Sequence, residues 1–469
     1  MTFLLLFFVI ASVLVGCSWF KVKPDVPVPA PEPKEHVQVL VWKSPSATDA
    51  RFNSIIDSFK NGDPTLRVNF CQNCEDNLVM LEGSNVDQHL GPVGQLASGS
   101  SGGGIKPEGG GEIEAYWSLN FKVQVDDPKM IPVDTNNYNS SIKPADIRHL
   151  SEPGNYTETK PVVVAIFDTG IDSAELAKRR QVFHNSQTSC LGPRADSGWN
   201  FADHNNLTHD DYSDPAGHGA NVSALIYEKV QTIGRNPVQI LPVKFIKANG
   251  EAHLYDVLCG LAYAQKCGAN IINASFGYYS PKSKTTVDSA ALLFKNFIQF
   301  YLTNNNIILV TAAGNMDDAQ QARMCGTLSR SLDDMNFYPA SFAADEALTN
   351  VIAVTTVAGS GSGVVSPHQN YSPSVVDVGV PADHIWRDTI FLFSNPRVSN
   401  IGIEGSSYAA PIVTGTLAGN YSFLLASTAP NPLHKQNIFM RLAQAPVTAV
   451  TIEALLATKV RNGGLILTR

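Results

Sequence analysis

What this chain of 469 residues does not contain narrows it first. It has no long run of Lys or Arg, and 34 basic against 42 acidic residues leave a formal net charge of −8, so nothing in it offers the electrostatic footprint of a nucleic-acid binder. The apolar run at the N-terminus, residues 3–15, stops at Gly16, short of the roughly 20 residues that span a bilayer. Cysteine is sparse. Of seven, only Cys71 and Cys74 in "CQNC" stand at metal-ligand spacing, and no second pair completes a zinc site. Nine glycines crowd residues 91–111 without the Gly-Lys-Ser/Thr ending of a phosphate loop, so this stretch reads as a flexible linker.

What is present is a globular composition, 44% hydrophobic and 16% charged, in a chain long enough for more than one domain. The tract Leu14, Val15, Gly16, Cys17 resembles a bacterial lipobox. That resemblance implies a signal peptide over residues 1–16, cleavage before Cys17 and lipidation of its thiol, in an exported protein of the cell envelope. One departure is that no Lys or Arg precedes the apolar core. Ser18, where Asp is absent, resembles the pattern that permits sorting to an outer membrane. Residues 17–36 include "PDVPVPAPEP", an extended tether that holds the rest of the chain away from the membrane. Outside the cytoplasm the other six cysteines are free to pair. Cys259 and Cys267 fall on one predicted helix about 12 Å apart, too far to pair with each other, and read as core and helix-end residues.

Residues 37–90 read as a small α+β unit. "VQVLVWK" alternates through Val37, Val39 and Val41, and Phe52, Ile55, Ile56 and Phe59 line one face of a helix. Beyond the glycine-rich linker, residues 112–469 alternate apolar strands such as "PVVVAIF", "VQILPVKFI" and "NIILVTAA" with helical stretches. This is the pattern of a mostly parallel sheet covered on both faces, with sites at the carboxyl ends of its strands.

Three motifs collect chemistry. Asp168 leaves a buried strand in "VVVAIFDTGID", a partner-seeking carboxylate or an Asx turn. His218 stands between two glycines at a helix start in "GHGANV", a positioned base or a structural histidine. Ser407 opens a helix in "GSSYAAP", a nucleophile or a cap. The Asp-Thr-Gly letters also suit an aspartic protease, but Asp168 and Asp196 are too close in sequence to come from separate lobes.

The order Asp, His, Ser differs from that of chymotrypsin-like enzymes and α/β-hydrolases and is that of subtilisin. With "DTGID", "GHGANV", "AAGN" and "GSSYAAP" in this order, and weaker echoes in "INASFG" and "VDVGVPA", residues 112–469 resemble the subtilisin-like serine peptidases (subtilases). The resemblance implies a three-layer α/β fold and an endopeptidase working through an acyl-enzyme on Ser407. His218 would be the base, Asp168 its orienting partner, and the Asn315 amide an oxyanion donor. It further implies that Ser275, Phe276 and Gly277 pair with an extended peptide, and that Ala312, Ala313 and Gly314 line the specificity pocket. Two positions depart from the family pattern. Ala220-Asn221 replaces Thr-His, and Tyr408 replaces Met after the nucleophile. The implied partners are a peptide or protein substrate and the membrane. No cofactor is implied, and the acidic stretch "DHNNLTHDDYSD" has no calcium-ligand spacing and reads as a solvated loop. The family commonly carries an N-terminal inhibitory prosegment, which places residues 37–90 in that role. Cleavage in the linker is then expected to release the catalytic part from its anchor. The rival reading is a silent binding lipoprotein that keeps the fold.

Overall fold

The computed structural model describes residues 37–71, 74–84, 86, 104–105, 112–123, 129–132, 155–171, 190–192, 197–211, 217–282, 288–316, 329–357, 363–366, 368–381, 385–386, 401–446 and 449–468. The expected signal peptide, Cys17, the tether, Asp196 and most of the glycine-rich stretch lie outside them.

Two periodicities meet to fold the first part. Strand β1 (Val37–Lys43) turns Val39 and Val41 to one side, where helix α1 (Asp49–Gly62) offers Phe52, Ile55, Ile56 and Phe59, all buried. Thr48 caps that helix by accepting from the Arg51 N–H. The sheet is completed by β2 (Arg67–Phe70), β3 (Leu78–Gly83), β4 (Gly104–Ile105) and β5 (Ala115–Leu119), in the order β2-β3-β1-β5-β4.

Two features correct the expected layout. Strand β5 lies beyond the glycine-rich stretch yet pairs antiparallel with β1, Val41 opposite Trp117, so the small unit runs to residue 119 rather than ending at 90. The second face of β1 is also buried, because Leu40 and Trp42 join the main core, with the Trp42 ring 5.1 Å from Phe297 and 5.8 Å from Phe300.

A short strand β6 (Lys129–Pro132) comes next, and then the main sheet begins. It contains β7 (Val162–Asp168), β8 (Trp199–Asn200), β9 (Val238–Lys244), β10 (Ile271–Ala274), β12 (Ile308–Ala312), β14 (Val351–Thr356), β15 (Val378–Val380), β18 (Ala449–Ile452) and β19 (Leu465–Thr468). The ladder is parallel from β8 through β19, and only β18 runs antiparallel at the edge. One face packs on α2 (His218–Ile233) and α5 (Ser406–Gly419), the other on α3 (Leu254–Lys266) and α4 (Ser289–Tyr301). This is the expected three-layer fold. Two small ribbons flank it: β11 (Tyr278–Pro281) with β13 (Met335–Tyr338), and β16 (Ile385–Trp386) with β17 (Ile401–Glu404) and β6.

The cysteines behave differently from expectation. Cys259 is not merely a core residue: it is disulfide-bonded to Cys71, and Cys74 to Cys190. Both halves of "CQNC" therefore cross-link the small unit to the main domain. Cys267, the helix-end residue, is a buried thiol outside both disulfides.

Candidate active site

Strand β7 is buried along its whole length, and its last residue, Asp168, emerges at the carboxyl edge of the sheet only 1% exposed. Its Oδ1 lies 2.7 Å from His218 Nδ1 and also accepts from the Thr169 N–H at 2.8 Å. His218 is fully buried at the first turn of α2. Glycine on either side makes this approach possible. Gly217, the N-cap, has φ +67°, and a side chain at Gly219 would collide with the Gly170 carbonyl and come within 3.0 Å of the Asp168 Cβ.

Three residues outside the expected set hold this pair. The Thr169 hydroxyl accepts from the Gly219 N–H at 2.9 Å and lies 3.0 Å from Asp210 Oδ2. Asp210 Oδ2 also accepts from the Ala220 N–H at 2.9 Å, capping α2 in place of the side chain that Gly217 lacks. Lys244, opposite Asp168 in the ladder and 1% exposed, donates to the Thr169 carbonyl and to Asp211 Oδ1, each at 2.5 Å. The described part of the acidic stretch is mostly exposed, as expected of a solvated loop, but Asp210 and the half-exposed Asp211 are bound to protein donors. Within "DTG", Thr169 was the one visible hint of this network; Asp210 and Lys244 left none.

Ser407 stands in the first turn of α5, which packs against α2. Helices α2 and α5 pack closely because Gly415 faces Ile226 and Gly419 faces Ile233, where any larger residue would clash. Contacts advance in the same sense along both helices, so their N-termini lie at one end. There the Tyr408 ring stands 5.3 Å from the His218 ring, fully buried, in the position where the family pattern has Met. The Ser407 carbonyl accepts from the Ser275 hydroxyl at 2.8 Å, and the Ser407 hydroxyl lies 3.4 Å from the Ser275 carbonyl. Ser275 thus borders Ser407.

Asn315 follows Gly314 at the end of β12. Its Oδ1 accepts from the Ser406 N–H at 2.9 Å and the Ser406 hydroxyl at 3.0 Å, and that hydroxyl accepts in turn from the Gly314 N–H at 3.0 Å. The amide stands beside Gly405, where a Cβ would lie 3.4 Å from Nδ2 and 3.7 Å from Oδ1. Beneath, the Asn315 carbonyl accepts from the Tyr279 hydroxyl at 2.9 Å, and Asn370 donates to that hydroxyl and to the Ala313 carbonyl. Next to Gly277, burial pushes the Tyr278 phenol well above its ordinary pKa, so it stays neutral. Ala312, Ala313, Ser275 and Phe276 are buried, with Phe337 against Gly277 and Gly314.

A mostly parallel sheet covered on both faces by helices, with a buried Asp–His pair at its carboxyl edge, is a subtilisin-like fold. The Subtilase family model matches residues 159–459, and the chain belongs to that family. It is 30% identical over 174 residues to the cell wall-associated protease of Bacillus subtilis (strain 168), covering 35% of this chain and 17% of that protein. Identity with subtilisin-like protease 3 of Plasmodium falciparum (isolate 3D7) is 25% over 263 residues, 54% of this chain and 30% of the relative. The chain therefore matches less than a third of either relative's length. Among solved structures, fervidolysin from Fervidobacterium pennivorans, a keratinolytic enzyme related to subtilisin, has a TM-score of 0.52 at 17% identity, covering 86% of this chain and 56% of that one. A mutant of the epidermin leader peptide processing serine protease from Staphylococcus aureus has the same TM-score at 15% identity, covering 86% and 92%. At these identities the structures speak to the fold.

Proposed function

We propose that this protein is an exported, lipid-anchored serine endopeptidase whose catalytic residues are Asp168, His218 and Ser407, with Asn315 in the oxyanion hole. The observation that carries the reading is the 2.7 Å contact of Asp168 with His218 Nδ1, both groups buried, at the end of α2 that lies beside the start of α5. Asp168 fixes the tautomer in which Nε2 is the base. Ser407 Oγ attacks the peptide carbonyl as its proton passes to His218. The oxyanion so formed takes hydrogen bonds from the Ser407 N–H and the Asn315 amide, and the imidazolium then protonates the departing amine. Water repeats the sequence on the acyl-enzyme and frees the acid. The substrate lies as an added strand along Ser275, Phe276 and Gly277.

The small unit acts as a prosegment in this reading. What supports it is its exit strand. The Val123 N–H donates to the Ala252 carbonyl at 3.0 Å, the Leu254 N–H donates to the Phe121 carbonyl at 3.2 Å, and the Phe121 ring lies 4.4 Å from Tyr278, the residue after Gly277. The segment that leaves the unit, residues 121–123, therefore runs beside residues 252–254 and Tyr278. Linker cleavage alone does not release the unit, however, because Cys71–Cys259 and Cys74–Cys190 bridge the two parts.

Digestion of an unfolded protein substrate tests the activity. Peptides with new internal termini, absent with Ser407→Ala, are expected. Release of terminal residues alone, or equal digestion by the variant, would refute it.

A further inference from the structure

The two segments assigned to substrate, 275–277 and 312–314, each end in glycine, and both glycines face one side chain. A Cβ on Gly277 would lie 2.5 Å from Phe337 Cε1, and a Cβ on Gly314 would lie 2.9 Å from both Cδ1 and Cε1 of the same ring. Neither wall can carry a side chain, because the ring edge already fills the space in front of it.

Phe337 is held there firmly. It is 2% exposed and lies on β13 directly opposite Tyr279, with ring centroids 4.8 Å apart. Its own N–H donates to the Ser341 hydroxyl at 2.9 Å. The Tyr279 hydroxyl is bonded to the Asn315 carbonyl and to the Asn370 amide, so a retreat of the ring would disturb these hydrogen bonds.

Resting on the proposed peptidase reading, we infer that Phe337 is a specificity-determining residue: it occupies the floor between the pocket walls and restricts the residue before the cut bond, P1, to Gly, Ala or Ser. A P1 Leu or Phe would have to displace the ring, and crowding an already packed site is unfavourable. No bond chemistry changes; only the shape of the acyl group that reaches Ser407 does.

Peptidyl diphenyl phosphonates identical except for Ala or Phe at P1 provide the test, read as the rate of Ser407 labelling. A simple fluorophosphonate without a P1 side chain reports separately whether Ser407 is reactive at all. Wild-type protein should react with the Ala probe about 100-fold faster than with the Phe probe, since single-group differences in such pockets are worth roughly 10- to 200-fold. Phe337→Gly and Phe337→Ala should narrow that ratio at least tenfold. A fluorophosphonate-reactive wild type that takes the Phe probe as fast as the Ala probe overturns the inference alone. So does an unchanged ratio in both variants. Failure of the wild type to react with the fluorophosphonate overturns the peptidase reading beneath it. Should neither variant fold, the wild-type ratio still decides.

Discussion

Ser406 bonds to the catalytic neighbourhood without being placed to attack: its hydroxyl lies 3.0 Å from Asn315 Oδ1 and accepts from the Gly314 N–H. In the proposed mechanism the adjacent serines of "GSSYAAP" divide the work: Ser407 attacks the substrate, and Ser406, bonded to Asn315 Oδ1, orients the amide assigned to the oxyanion. Ser406→Ala should retain labelling at Ser407 while turnover falls about tenfold, less than the 10²- to 10³-fold that loss of the amide donor costs in subtilisin itself. Parallel kinetics of Ser406→Ala, Ser406→Thr and Asn315→Ala would check this, with Thr restoring most of the rate.

The disulfides Cys71–Cys259 and Cys74–Cys190 make a second prediction about processing. After any cut in the glycine-rich stretch, the N-terminal fragment should stay with the main domain on a non-reducing gel and separate from it after reduction. Cys71→Ser combined with Cys74→Ser should let the fragment leave without reductant.

Asp256, in the first turn of α3, is largely but not fully buried and has its pKa pushed up to about 7, chiefly by desolvation, with Asp203 and Glu251 adding to the rise and Lys247 opposing it. A carboxyl raised in the folded state contributes stability that is full below its unfolded value of 3.8 and is lost as pH rises through about 7. Asp256→Asn should flatten that fall. Its melting temperature relative to wild type should climb between about pH 4 and 7 and level off above.

Cys17 provides a test of the anchor. Cys17→Ser should move the protein from the membrane fraction to the soluble one, because each buried acyl CH₂ contributes roughly 0.8 kcal/mol and the variant has none. Unchanged fractionation would remove the lipid anchor from the account.

The sequence made much of this legible for physical reasons. Buried parallel strands need continuous apolar runs, so β7, β9, β10, β12 and β14 announced themselves. Asp168 and His218 stood out because the backbones that bring them together need glycine at 170, 217 and 219. The pairing of β1 with β5 was hidden because it is non-local, and the intervening glycines look like a boundary. Cysteine partners 188 and 116 residues apart leave no local mark. Phe337 left none either, since an aromatic residue in a strand looks the same whether it fills a core or a pocket.

The central claim is that Ser407 is the nucleophile, and covalent labelling tests it most directly. Full-length protein, expressed with its signal segment in an exporting bacterial host, would be treated with a fluorophosphonate and the adduct located by peptide mass spectrometry. The account predicts one adduct, on Ser407, that disappears in Ser407→Ala and in His218→Ala. An adduct on Ser406, or a wild-type protein that takes up no probe, would contradict it.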